Sequence, residues 1–479
     1  MCDGLGHDDA PHDHAGEDVG NEPRAAVAEE PAGNKTAHGA GSVDAPPVRR
    51  YRLPVTASPE APQLTGAAYL RLIALGAVIG APAALLAAGF LALVHELEDW
   101  LWHDLPDALG HSSPPWYLVL GLPVVGACIV LAARKLLSGD GGHSPLDGFA
   151  GAPTPVSHGP GVALAALGTL AFGAVLGPEA PLIALGSIVG LLVTRYVTVD
   201  PKHHGVLSMA GSFSAISALF GGPLVAGVLL IEAGVGMGAL LIPVLLPGLV
   251  AAAVGYLLFI GLGDWGGLDR TALSIPGLPP YDGTSIRDLL LALAIGIATA
   301  LLCEVVRVLA RRTAGSEPRF GMGTLLVGGG LAVGLLAVSA DALGANSQDV
   351  LFSGQYSMVA LVGEDSATAL LVLLAAKALG YAICLGCGFR GGPVFPAIFL
   401  GVGIAMFAVI AFDVSPTLAV AVGASAGMAA MTKLLFAPLL FAALLVGSSG
   451  FDAISAAVLA SAAAWVTTNA LERLAGRPA

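Results

Sequence analysis

The sequence predicts an all-α polytopic membrane protein, an inverted-topology internal repeat with broken and re-entrant helices. Three observations predict it. The 479 residues are 56% hydrophobic and 11% charged, with a mean hydropathy of +0.81, far from a soluble domain. Several apolar runs, among them 67–94, 240–262, 289–308 and 403–422, reach the roughly 20 residues that cross a bilayer. Motifs also recur at one offset. Gly177-Pro178-Glu179-Ala180-Pro181 and Gly392-Pro393-Val394-Phe395-Pro396 share a Gly-Pro-x-x-Pro frame 215 positions apart, and Phe220-Gly221-Gly222-Pro223-Leu224 meets Leu435-Phe436-Ala437-Pro438-Leu439 at the same 215. Such a duplication predicts a site where the halves meet.

The chain divides into a tail (1–62), a first membrane repeat (63–270), a connection (271–284) and a second repeat (285–476). The tail is rich in Asp, Glu, Gly, Pro and His; it cannot bury enough apolar surface to offset its chain entropy and is expected to be disordered. Much of the net charge of −13 lies there, so acidity says little about the membrane body. It lacks the basic start and apolar core of a secretory signal. His7, Asp8, Asp9, His12, Asp13 and His14 offer metal ligands, yet they equally suit a solvated acidic tail, and no metal or other cofactor is expected. Arg49, Arg50 and Arg52 precede the first span and favour a cytoplasmic N-terminus.

In the first repeat a long span is followed by Trp100, Trp102, Trp116 and Tyr117, residues suited to a membrane interface. A second span, 117–137, leads into the Gly-rich loop Gly139-Asp140-Gly141-Gly142-His143-Ser144-Pro145, whose proline reads as a helix start. Shorter apolar pieces cut by Gly and Pro follow, as broken or re-entrant helices require. The stretch 264–287, with Pro276, Pro279 and Pro280, reads as an exposed connection. In the second repeat Arg307, Arg311, Arg312 and Arg319 cluster in what reads as a cytoplasmic loop. Cys384 and Cys387 form a Cys-x-x-Cys with no second ligand pair, so both read as small packing residues. No soluble module is expected after the final helix.

A helix that begins inside a membrane leaves its first N–H groups unpaired at the positive end of its dipole, an anion site without a fixed cation. Proline is tolerated at such a start because its missing N–H would be unpaired anyway. Gly177, Pro178 and Pro181, and Gly392, Pro393 and Pro396, read as two such starts. The amides of Glu179, Ala180, Val394 and Phe395 would then face one midplane site, with Glu179 as a tethered anion that occupies it or vacates it: a gate. Two other readings stay open. The prolines could be ordinary kinks, and Glu179 could pair with Lys377 or Lys433. Glu232 and Glu304 are further intramembrane acids whose place, pathway or interface, the sequence leaves undecided.

Taken together these stretches resemble the chloride channel and transporter (CLC) family, whose members carry a Gly-rich loop ending in Ile-Pro, a Gly-x-Glu-Gly-Pro gate and a Gly-x-Phe-x-Pro helix start. The counterparts, in the family's order, are Gly141 to Pro145, Gly177 to Pro181 and Gly391 to Pro396. The resemblance implies an inverted-repeat fold, a homodimer with one pathway per subunit, and Glu179 as the external gating glutamate. It also implies anion contacts at Gly142, Ser144, Glu179, Ala180, Val394 and Phe395. There are departures. The family's serine ligand falls on Gly142, with Ser144 two positions on; the basic residue before the gate is Pro178, and the glycine after it is Ala180. Pro393 removes an amide, no tyrosine follows Tyr381 to serve as the family's central tyrosine, and the inner proton-relay glutamate falls on Ala233.

These features predict transport of small anions, chloride first, along a pathway gated by Glu179 and uncoupled from protons. Anion/proton antiport is the alternative and cation transport a second. An enzyme is disfavoured: His95-Glu96-Leu97-Glu98 lacks a zinc helix's second histidine. The expected partners are the anion, the lipid of a plasma membrane and a second copy of the chain, with no nucleic acid.

Overall fold

A computed structural model describes residues 66–147, 153–234, 241–262, 265–268 and 273–476. The tail, with its His/Asp cluster and Arg49, Arg50 and Arg52, lies outside them. The described residues are helical throughout, apart from loops and two isolated β-bridges. The first repeat comprises α1 (Ala67–Asp99), α2 (Trp116–Leu136), α3 (Gly159–Leu170), α4 (Glu179–Val193), α5 (His204–Phe220), α6 (Pro223–Ala233) and α7 (Leu241–Ile260). The second comprises α8 (Ile286–Ala314), α9 (Met322–Ala342), α10 (Ala367–Cys387), α11 (Val394–Phe412), α12 (Pro416–Thr432), α13 (Phe436–Val446) and α14 (Ile454–Leu474). Among the described residues eight helical stretches are long and apolar enough to span a bilayer, while α4, α6 and α12 are shorter apolar helices.

Equivalent helices of the two copies pack alike. α4 lies along α5 as α11 lies along α12, and α5 meets α7 as α12 meets α14. Both helix pairs approach through glycine. A Cβ on Gly211 would strike the Gly186 carbonyl between α4 and α5, and one on Gly427 would strike the Ala397 carbonyl between α11 and α12. In lipid, where apolar side chains gain little by leaving their solvent, this backbone contact is what holds helices together.

α1 continues through a π-helical turn, Trp100–Asp104, an extra-residue widening of the helix. There one expectation is corrected. Trp100, Trp116 and Tyr117 are exposed, as an interface belt requires, but Trp102 is buried, its indole N–H donating to Ala171 O at 3.0 Å. The widened turn swings its ring inward, where the amphipathic indole finds a carbonyl instead of headgroups. The connection expected to be exposed also lies against the second repeat: Ile275 and Leu278 are buried, and Ile275 N donates to Leu445 O at 2.9 Å.

Candidate functional site

The two Gly-Pro stretches meet. Gly177 N donates to Gly392 O at 2.8 Å and Gly392 N to Gly177 O at 2.5 Å, an antiparallel bridge between equivalent positions of the two copies. From this bridge α4 and α11 depart. The prolines sit one place earlier than a first-turn reading gives: Pro178 and Pro393 are the caps, and the first helical residues are Glu179 and Val394. Pro178 O still accepts from Leu182 N at 3.1 Å, so the missing proline N–H costs neither helix a bond. Gly177, Pro178, Pro181, Gly392, Pro393, Val394, Phe395 and Pro396 are all buried, and Ala180 is half-buried.

Glu179 is fully buried at this junction. Its Oε1 accepts from Phe395 N at 3.1 Å, across the repeat boundary. The amides of Val394 and of Glu179 itself also lie near the carboxylate, while Oε2 has no hydrogen-bond partner among the described residues. The carboxylate therefore rests on the N-terminus of α11, with backbone dipoles as its electrostatic support. Neither lysine candidate reaches it. Lys377 Nζ donates to Asp349 O and Leu351 O at 2.8 and 2.6 Å, and Lys433 pairs with Glu472 at 2.5 Å. Gly177 and Gly392 leave room for the carboxylate, since a Cβ on either would run into its oxygens.

The Gly-rich loop ends at Pro145, which shares a cavity with Pro393. Gly142 closes a turn on Gly139, and Ser144 Oγ accepts from Leu146 N at 3.3 Å, so their polar contacts are local. Asp140 matters more than the motif suggested. Its carboxylate accepts from Arg134 Nε at 2.7 Å and from Arg390 Nη2 at 2.5 Å, while Arg134 also donates to Gly388 O at 3.0 Å. This clamp holds the 388–390 segment that leads into the α11 start. Glu232, left undecided by sequence, caps α13 and accepts from the amides of Leu435, Phe436 and Ala437. A residue the sequence reading left without a role is Tyr381, buried on α10, whose hydroxyl donates to Pro393 O at 2.9 Å. Its position twelve residues before Pro393, as a lone phenol in an aliphatic helix, was the available signal.

Cavities approach the junction from two faces. One, of about 70 Å³, runs from His95 and Glu98 to Leu176 and Pro178; another, of about 60 Å³, runs from Arg307 and Arg311 to Pro145 and Pro393. The C-terminal end of α9 (Asp341) shares a cleft with Trp102 and His103 at the C-terminal end of α1. The α8–α9 turn, and with it Arg307 and Arg311, thus belongs to the opposite face from His95 and Glu98.

Residues 146–469 match the family model described as voltage gated chloride channel. The chain belongs to the CLC family. The "Putative ion-transport protein YfeO" of Escherichia coli O1:K1 is 30% identical over 353 residues, covering 70% of this CLC chain and 78% of its own. The protein of that name in Escherichia fergusonii is 30% identical over 349 residues, with the same coverage of 70% and 78%. Among solved structures, a slow cyanobacterial Cl−/H+ antiporter superposes with a TM-score of 0.68 at 18% identity, covering 85% of this chain and 96% of its own. A CLC-type fluoride/proton antiporter superposes at 0.62 and 21% identity, covering 84% and 96%. The protein is thus a multi-pass CLC membrane protein with the family's inverted-repeat fold, related to ion-transport proteins and placed by its family among anion transporters.

Proposed function

We propose that this CLC protein conducts small anions, chloride first, through the junction of α4 and α11, with Glu179 as the gate and no obligatory proton exchange. The observation that carries the reading is the bond from Phe395 N to Glu179 Oε1: a carboxylate of one copy occupies the helix start of the other. A site that holds a carboxylate on backbone amides holds another anion once the side chain leaves. Gly142, Ala180 and Val394 would contribute backbone around the ion, and Ser144 at its approach.

Ala233, where an exchanger's inner glutamate would stand, supports the uncoupled reading; Glu232 is committed to capping α13. Cation transport gains no support, because the junction presents N–H groups. The face bearing Arg134, Lys135, Arg307, Arg311 and Arg312 is the basic one, which favours a cytoplasmic placement for it and for the start of α1. A homodimer in the plasma membrane completes the reading.

Proteoliposome flux with simultaneous pH recording tests it. Chloride efflux without stoichiometric proton uptake is expected; strict proton counter-movement moves the protein to the antiporter class, and flux that follows sodium gradients overturns the anion reading.

A further inference from the structure

On the face opposite the basic one, the helical stretch Ala67–Ala108 and α9 both end beside an open cleft of about 610 Å³. No residue of α4 or α11 lines it, so it lies off the Glu179 junction. Asp107 and Asp341, both exposed, give it two carboxylates, and none of its lining residues is Lys or Arg. His103 also lines it, with Nδ1 3.5 Å from Asp99 Oδ1. Two long helices thus turn the negative ends of their dipoles toward the cleft. One hydroxyl is set into its wall. Ser347 lines the cleft and is only 8% exposed, yet its side chain makes no hydrogen bond among the described residues. A buried hydroxyl left unpaired is costly, so this one points to a ligand in the cleft.

We propose that this cleft binds an aliphatic polyamine, with ammonium groups on Asp107 and Asp341 and an N–H reaching Ser347 Oγ. Charge fixes the sign of the ligand: two carboxylates and two helix C-termini, with no fixed cation, select a positive partner. Size and donor set fix its class. At about 610 Å³ the cleft is far larger than a bare ion and falls within the roughly 300–1,000 Å³ of small-molecule sites. Among the described residues no three His, Cys, Asp or Glu side chains come together as metal ligands, so a dehydrated metal ion would lack its shell there. A polyamine spreads its charge along a chain and donates through several N–H groups, which suits acceptors set apart on two helix ends. The site does not depend on how Glu179 gates the junction.

Full-length protein in nanodiscs of neutral phosphatidylcholine is titrated calorimetrically with spermidine. Saturable binding at one site per chain is expected, weakening as salt rises. Asp341→Asn weakens it by about tenfold, the loss expected for one charge-assisted contact. Asp107→Asn with Asp341→Asn abolishes it, and Ser347→Ala weakens it by about threefold. Both carboxylates are exposed, so the aspartate variants keep the fold, and each is checked as a monodisperse peak. Wild-type affinity in the double variant overturns the proposal, because spermidine then sits elsewhere on the chain, the acidic tail included. A wild type with no saturable binding overturns it as well. Magnesium serves as the charge-matched competitor: spermidine should stay bound at equal magnesium concentration, and displacement there reduces the effect to plain charge screening and overturns the polyamine class.

Discussion

Gly177 and Gly392 exchange both their backbone hydrogen bonds, at 2.8 and 2.5 Å, and stand at the same place in the two copies of the duplicated sequence. An antiparallel pair between equivalent residues places the local pseudo-two-fold axis through that bridge. It also turns the two helix starts toward one another's approach. That is why the Glu179 carboxylate, which follows one bridge residue, lands on the amide of Phe395, which follows the other.

If Glu179 is the gate, as proposed, the pathway opens when that carboxylate is neutralised. A hydrogen bond to a charged group contributes roughly 1.5–3 kcal/mol, so Glu179→Gln or Glu179→Ala should raise chloride flux by about tenfold or more. In the wild type, flux should rise as pH falls, because protonation removes the charge held by the α11 dipole; in either variant this dependence should vanish. Stopped-flow efflux between acid and neutral pH checks both. Unchanged flux with retained pH dependence would deny Glu179 its role.

Gly392→Ala should reproduce the open state without touching the acid. The new Cβ collides with Glu179 Oε2, the far end of a flexible side chain that can swing away. Flux should approach that of Glu179→Ala, and the double variant should gain nothing more, since both act on one group. Additive effects measured in the same flux assay would show that the glycine acts elsewhere.

Tyr381→Phe removes the hydroxyl from Pro393 O and leaves a buried carbonyl without that donor. The cost is about 1–3 kcal/mol, seen as a lower unfolding temperature in detergent. Because the carbonyl belongs to the cap of α11, the order of preference among chloride, nitrate and fluoride should shift as well. A stability loss with unaltered selectivity would confine Tyr381 to packing.

Asp140→Asn should loosen the clamp between Arg134 and Arg390, whose side chains are each 8% exposed against 52% for Asp140. Since the aspartate is half in solvent, the loss is discounted to about 1–2 kcal/mol. Faster hydrogen exchange in the amides of 388–392 should accompany it, measured by mass spectrometry. Protection equal to wild type there would place the clamp outside the support of the α11 start.

Much of this was legible in the residues. Hydropathy named the class, and the 215-residue offset between the Gly-Pro frames named the pairing that the Gly177–Gly392 bridge displays. Trp102 was misread because an indole suits both a headgroup region and a buried carbonyl; only the π-turn decides which. Tyr381 was named but given no role, because its position twelve residues before Pro393 becomes a contact only through the turn between them. Asp140 and Arg390 are 250 positions apart, and nothing local announces them as partners.

By itself the sequence determined the membrane class, the duplication and the two glycine-proline helix starts, because these depend on composition and on backbone constraints that act within a few residues. Tertiary structure alone decided that Glu179 meets Phe395 rather than a lysine, that Arg307 faces a cavity, and that Glu232 caps a helix. Those outcomes follow from which helix backbones glycine lets come close, and short-range propensity carries no record of that.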